Sequence, residues 1–479
     1  MRKAGILMPM ASLPSRTGCG DFGPQAYHFA DLMHEAGLSI WQILPLNPLG
    51  FGNSPYQPYS SYAMDDLYIS LEMLERDGLI AHTPKFHSHD PRIAYEAVRA
   101  FREPYLHQAY ETFVKDDEYE AFASRQWVRT YAVFMALKKK NGGRSWPEWA
   151  QEDKQAVDHI EDRVGEDAAQ YEIFKQYILY RQWTELKKYV NSLGIEIMGD
   201  LPFYVGLDSA DVWGDRDDFL LDDDGHPQFI AGVPPDYFSA TGQRWGNPIY
   251  DWNHMQKTDF RFWKNRLAYC GSLMDIVRVD HFRAFDTYWK IPSSCPTAVE
   301  GEWVEAPGYA LFDSLFEEYP DLKIVAEDLG DLRAEVLELR DHYDFRGMRV
   351  LQFSFNENGM HNDKEHLLVY TGTHDNDTTY AWYKSQSARE RRRMRKCLKS
   401  LGFASGSFVD DVIAYALTCK ADMVIIPMYD WLHLDRRGRL NTPGTVGYPN
   451  WTWRLPDAEV FAKRVDDIRN SLVRCRRSD

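Results

Sequence analysis

Asp275-Ile276-Val277-Arg278-Val279-Asp280-His281-Phe282-Arg283 is the stretch on which the reading of this chain turns. Ile276, Val277 and Val279 give it the β-branched bulk of a buried strand. It ends in Arg278, Asp280 and His281, groups that are costly to desolvate unless they face a cleft. Taken alone, Arg278-Val279-Asp280 reads more readily as an ion pair capping a strand than as part of a site. The pattern recurs, however. Lys323-Ile324-Val325-Ala326-Glu327-Asp328 and Leu367-Leu368-Val369-Tyr370-Thr371-Gly372-Thr373-His374-Asp375 are also short apolar runs ending in acids. Ile195-Glu196-Ile197-Met198-Gly199-Asp200 is another. Strands that each end in a carboxylate imply one pocket lined by Asp200, Asp280, Glu327 and Asp375.

Working outward, Gly5–Pro9 reads as a first strand, Pro24–Ala36 as an amphipathic helix closed by Gly37, and Ile40–Leu46 as a second strand. Strand, helix, strand is the pattern of a right-handed parallel crossover. Further strands are expected at 195–202, 275–280, 323–327, 348–353, 367–373 and 422–427. Eight strands with intervening helices predict an α/β fold of the (β/α)8 barrel type, with its site at the C-terminal strand ends. An open doubly wound sheet competes, but no Gly-rich phosphate turn follows the first strand. The chain, 1–479, is read as a single catalytic barrel. Residues 66–185 do not alternate strand and helix and are read as a helical insertion subdomain between strands two and three.

Two segments resist assignment to regular elements. Gly50 to Tyr62 is rich in Gly, Pro, Ser and Tyr and reads as a binding loop, since its tyrosines are expensive on a bare surface. The excursion after the third strand, with Asp211-Val212-Trp213-Gly214 and then 232–248, is long and aromatic, which points to function rather than disorder.

Composition narrows the classes of partner. A formal charge of −17 argues against nucleic acid, which needs a basic face. The basic run from Arg389 to Lys399 therefore reads as a solvated face. Aromatic residues make up 14%, with 15 Trp and 28 Tyr, and aromatic faces stack on the apolar faces of sugar rings. The six cysteines show no CxxC pair or metal-like spacing, so free thiols in a reducing compartment are expected. No apolar run suggests a leader or a membrane span, and a cytoplasmic protein is expected. No metal and no cofactor are called for.

Paired carboxylates in an aromatic cleft suit glycoside chemistry, in which one acid protonates the leaving oxygen and another attacks or stabilises the anomeric carbon. Arg278, on the same side of its strand as Asp280, is placed to keep that acid ionised. At this point the motifs resemble a known family. Arg278-Val279-Asp280-His281-Phe282-Arg283, Ala326-Glu327-Asp328-Leu329-Gly330 and Thr373-His374-Asp375-Asn376 look like catalytic segments of the α-amylase superfamily. Within it, Ser12-Leu13-Pro14-Ser15, Ser54-Pro55-Tyr56-Gln57, Gly199-Asp200-Leu201-Pro202, Asp236 to Pro248 and Asn441-Thr442-Pro443-Gly444-Thr445 resemble the amylomaltases, or 4-α-glucanotransferases.

The resemblance runs from about Gly5 to Arg454. It implies Asp280 as nucleophile, Glu327 as general acid/base and Asp375 as the acid that stabilises the transition state. It implies Arg278, His281, His374 and Asp200 around the donor sugar, and Ser54, Tyr56, Asp236, Gln243, Trp245 and Asn441 on the glucan. It also implies long substrate loops and no C-terminal β-domain. Two positions depart from the family pattern: Ala284 stands in place of Gly, and Tyr429 in place of Gln.

The expected function is a retaining transferase passing α-1,4-glucan segments between maltooligosaccharide donors and acceptors. A hydrolase with the same acids differs only in letting water intercept the intermediate. A glucan-binding module would have no need of all three acids, and a phosphorylase would need a phosphate site and a cofactor lysine that the sequence does not suggest.

Overall fold

The computed structural model describes residues 2–235, 239–355, 360 and 364–477. Eight parallel strands form its centre: β1 (Lys3–Leu7), β2 (Ile40–Gln42), β3 (Glu196–Leu201), β4 (Ile276–Val279), β5 (Ile324–Ala326), β6 (Gly347–Val350), β7 (Leu367–Tyr370) and β8 (Met423–Pro427). Their order around the sheet is β6-β7-β8-β1-β2-β3-β4-β5. The ring closes where Val325 bridges to Arg346 and the Ala326 N–H donates to the Arg346 carbonyl at 2.8 Å. This is the expected (β/α)8 barrel. Its strands are buried almost throughout, which is why they read as continuous apolar runs rather than alternating ones.

The first crossover follows from its end signals. Pro24 occupies the first turn of the helix Pro24–Ala36, and Gly37 closes it at φ 78°, a left-handed position that glycine takes without strain. Between β2 and β3 the chain is helical, including Tyr95–Thr112, Gln126–Lys140 and the 26-residue helix Asp167–Ser192. Two glutamines of that long helix act as clamps on the loop after β2. Gln176 accepts from the Met64 N–H at 2.9 Å and donates to its carbonyl at 2.8 Å. Gln182 does the same for Ser70, at 2.7 and 3.3 Å. A buried amide pair of this kind fixes a loop because leaving either partner unsatisfied is costly.

Two regions differ from the sequence reading. The excursion after β3 is not patternless: Phe229–Val233 and Gln243–Pro248 join Thr287–Pro292 and Glu302–Glu305, from the segment after β4, in a four-stranded antiparallel sheet. The alternation was hidden because the register slips between Ile230 and Gly232 and because Gln243–Pro248 carries Gly and Pro. Gly232 is required there, since a Cβ would lie 2.1 Å from the Gln243 carbonyl oxygen. The sixth strand also stops earlier than its apolar run suggests. It ends at Val350, and Leu351–Phe353 forms a 3-10 turn that leaves Phe353 67% exposed.

Among the described residues no strand follows Pro427. No helix is long and apolar enough to cross a membrane among those residues.

Candidate active site

The strand ends assemble the floor of a cleft. Parallel register sets Asp200 of β3 beside Arg278 of β4. The Arg278 guanidinium, 4% exposed, donates through Nη1 to both Asp200 carboxylate oxygens at 2.6 and 2.7 Å. Its Nη2 donates to Asp280 Oδ1 at 3.1 Å. Burial works against the charge on Arg278, but Asp200 and Asp280 outweigh it and hold its pKa well above the ordinary value. Burial also pushes the Asp280 carboxyl upward, and Arg278 is the largest opposing influence.

Glu327 follows β5 and has no such cation bonded to it. Its carboxylate accepts the backbone N–H of His281 at 2.9 Å and that of Leu329 at 3.2 Å. Its pKa is raised to about 7, first by burial and second by the charge of Asp280. His281 sits at φ 56°, a left-handed conformation uncommon for a non-glycine residue, and this turn aims its amide at Glu327. Burial, with Arg283 adding to it, lowers the His281 pKa to about 4, so its ring is neutral at pH 7. The adjacent Asp328 turns into the wall, accepting from Arg340 and from the Met348 N–H at 2.6 Å. The structure thus places Glu327, the acid singled out in the sequence, at the cleft and its neighbour Asp328 in the wall.

Asp375 lies in the turn after β7. Asn441 Nδ2 donates to its Oδ1 at 2.7 Å, and His374 Nε2 lies 3.6 Å from its Oδ2. Its side chain is 47% exposed, whereas that of Asp200 is fully covered. Tyr56 provides the cover: its hydroxyl donates to Asp200 Oδ2 at 2.7 Å, and its ring stacks on His374 with centroids 5.0 Å apart and planes at 20°.

The loop carrying Tyr56 is fixed from outside the cleft. Asp211 accepts from the Ser61 N–H at 2.8 Å and its hydroxyl at 2.7 Å, beside the Gln176 clamp. Trp245 meets the His281 ring edge-on at 4.9 Å, its indole N–H donates to Gln243 at 3.2 Å, and Gln57 donates to its carbonyl at 3.3 Å.

The open cleft above these groups measures about 1160 Å³. Asp280, Glu327, Asp375, Ser54, Tyr56, Gln243, Trp245, Arg278, His281, His374 and Asn441 all line it. Asp200 lies beneath the lining, and Asp236 falls outside the described residues. Trp451 and Phe353 were missed by sequence reasoning. Trp451 packs 5.6 Å from the Tyr56 ring, and Phe353 is an exposed part of the cleft wall. Neither lies in one of the apolar runs that end in Asp200, Asp280, Glu327 or Asp375. Phe353 was hidden by the apolar run of β6.

Carboxylates gathered at the C-terminal mouth of an eight-stranded parallel barrel define the chain as a (β/α)8-barrel enzyme. The family described as 4-alpha-glucanotransferase matches residues 8–459, and the chain belongs to that family. It is 40% identical to the 4-alpha-glucanotransferase of Thermus thermophilus, with 98% of this chain and 97% of the relative covered. It is 37% identical to the chloroplastic/amyloplastic 4-alpha-glucanotransferase of Solanum tuberosum, covering 98% of this chain and 85% of that one. The amylomaltase of Streptococcus agalactiae, solved in complex with acarbose, superposes with a TM-score of 0.94 at 33% identity over 100% of both chains.

Proposed function

We propose that this chain is a retaining 4-α-glucanotransferase in which Asp280 is the nucleophile, Glu327 the general acid and base, and Asp375 the carboxylate that stabilises the transition state. The observation that carries the division of roles is the Arg278 fork. It bonds Asp280 directly, while Glu327 receives only backbone N–H groups. Two acids lining one cleft are thereby made unlike: burial pushes both upward, but Arg278 opposes the shift directly at Asp280, whereas the charge of Asp280 adds to it at Glu327, whose pKa is raised to about 7.

A maltooligosaccharide donor lies across the cleft. An Asp280 carboxylate oxygen attacks the anomeric carbon as the bond to the glycosidic oxygen breaks, and Glu327 gives its proton to that oxygen. The shortened glucan leaves. A 4-hydroxyl of a second maltooligosaccharide then enters, Glu327 takes its proton, and its oxygen displaces Asp280 with overall retention. Asp375 faces the oxocarbenium-like charge that develops in both steps. Neutral His281 donates no positive charge to that centre, and Tyr56 offers an aromatic face beside the donor sugar.

Transfer rather than hydrolysis requires an acceptor that outcompetes water. Gln243, Trp245 and the 443–447 loop line the cleft and are the surfaces proposed to hold it. Incubation with maltotriose tests this reading. Glucose and a ladder of longer maltooligosaccharides are expected, with little gain in reducing ends. A stoichiometric rise in reducing ends without longer products would identify a hydrolase.

A further inference from the structure

Tyr429 occupies a position where the family pattern has Gln, and the structure shows that it does not face the cleft. Met428–Trp431 is a helical turn that follows β8 directly. Tyr429 is 1% exposed and donates its hydroxyl proton to the Thr373 carbonyl oxygen at 2.7 Å. Asp430, also 1% exposed, accepts from the Thr371 hydroxyl at 2.6 Å and from the N–H and hydroxyl of Thr379, both at 2.7 Å. These contacts grip the turn between β7 and the helix Thr379–Ser385 at both ends and near its middle. That turn carries His374 and Asp375. Within it, Asn376 Oδ1 holds the Thr373 N–H at 2.8 Å and hydroxyl at 2.9 Å.

Asp375 itself is half exposed and has one short side-chain partner, Asn441. Its height above the floor is therefore set by its backbone. Thr373 is two residues away, and its carbonyl is the point at which the buried Tyr429 hydroxyl holds the turn from behind. The aromatic ring suits that task better than a flexible chain because it is locked. Trp453 meets it edge-on at 6.3 Å, and a Cβ on Gly438 would lie 3.1 Å from the Tyr429 Cβ. We propose that Tyr429, seconded by Asp430, is a positioning residue that sets the Asp375 carboxylate for the reaction through the Thr373 carbonyl.

The proposal rests on the catalytic role of Asp375 argued above, and a double-substitution cycle separates the two. Tyr429→Phe removes one hydroxyl and keeps the ring, so the fold is retained. It should lower kcat for maltotriose disproportionation about tenfold, the scale of a small misplacement of a catalytic group, with KM within about twofold. With α-glucosyl fluoride as the common donor, the same substitution should again cost about tenfold in the native background but less than about twofold in an Asp375→Asn background. The site would then already lack the charge that Tyr429 positions. Equal losses in both backgrounds, or no loss in the native background, would overturn the positioning role. Undiminished kcat in Asp375→Asn alone would instead overturn the role of Asp375 itself. Asp430→Asn retains an acceptor for two of the three donors and should lose less activity than Asp430→Ala. Equal losses for the two would show that the hydrogen bonds to Asp430 do not matter.

Discussion

The floor and the rim of the cleft are built on opposite principles. On the floor, Arg278, Asp200 and Tyr56 are tied by bonds of 2.6–2.7 Å, with Arg278 and Asp200 buried beneath the Tyr56 ring. On the rim, Gln243 and Arg244 are exposed, Val446 is 67% exposed and Phe353 equally so. The floor fixes charge: the Arg278–Asp200 pair is covered from solvent, which strengthens its electrostatic interaction and holds Arg278 against Asp280. The rim leaves a broad surface that glucans of different lengths can cross. On the proposed function, chemistry falls to the strand ends and substrate choice to the loops, the division expected of the barrel fold.

Substitutions on the floor should cost the most. Asp280→Asn cannot form the glycosyl ester and should lose more than about a thousandfold in kcat, measured by product release from maltotriose. Arg278→Lys keeps a charge but loses the fork that joins Asp200 to Asp280. It should lower kcat about a hundredfold. It should also lower thermal stability, because Asp200 is left buried with only Tyr56 as a partner, a loss on the scale of ~3 kcal/mol for a broken buried pair.

The raised pKa of Glu327 yields an effect of opposite sign on activity and stability. Its folded-state pKa of about 7 exceeds the ordinary value of 4.5. The protonated acid is thus favoured by folding, and the stability it contributes is lost as pH rises from 4.5 through about 7. Glu327→Gln, which never ionises, should therefore melt at a higher temperature than the native protein at pH 8 while turning over glucans far more slowly. In the native enzyme, kcat on maltotriose should fall as pH rises above about 7. A melting temperature at pH 8 below that of the native protein would show that Glu327 is not held against ionisation.

Rim substitutions should be milder and act on binding. Trp245→Ala should raise the acceptor KM about tenfold and increase the fraction of intermediates lost to water, with a smaller change in kcat. Phe353→Ala should leave stability within about 0.5 kcal/mol, since an exposed side chain has little packing to lose. Its effect should be confined to the distribution of product lengths. A rim substitution that abolished turnover, or a floor substitution that changed only product length, would break the division.

The same division explains what the sequence revealed. The floor was legible because a buried charge must sit at the end of an apolar run, which makes Arg278, Asp280, Glu327 and Asp375 conspicuous. The eight strands were legible for a related reason, since parallel strands buried on both faces read as unbroken β-branched stretches. The rim was not. Gln243–Pro248 pairs as a strand although its composition is that of a loop, because its partners hold it there rather than its own propensity. Phe353 reads as part of β6 until the chain turns. The glutamine clamps from Gln176 and Gln182 join residues 112 apart, and no local pattern announces them.

The central claim is that Asp280 carries the glycosyl group and Glu327 moves the protons. It is tested most directly by intact-mass measurement after mixing Glu327→Gln with an α-glucosyl fluoride. Fluoride needs no proton to leave, so the ester on Asp280 should form. With no base to activate an acceptor, it should persist and appear as one added glucosyl unit. Asp280→Asn under the same conditions should stay unlabelled. An unlabelled Glu327→Gln protein, or a label that survives the loss of Asp280, would contradict the account.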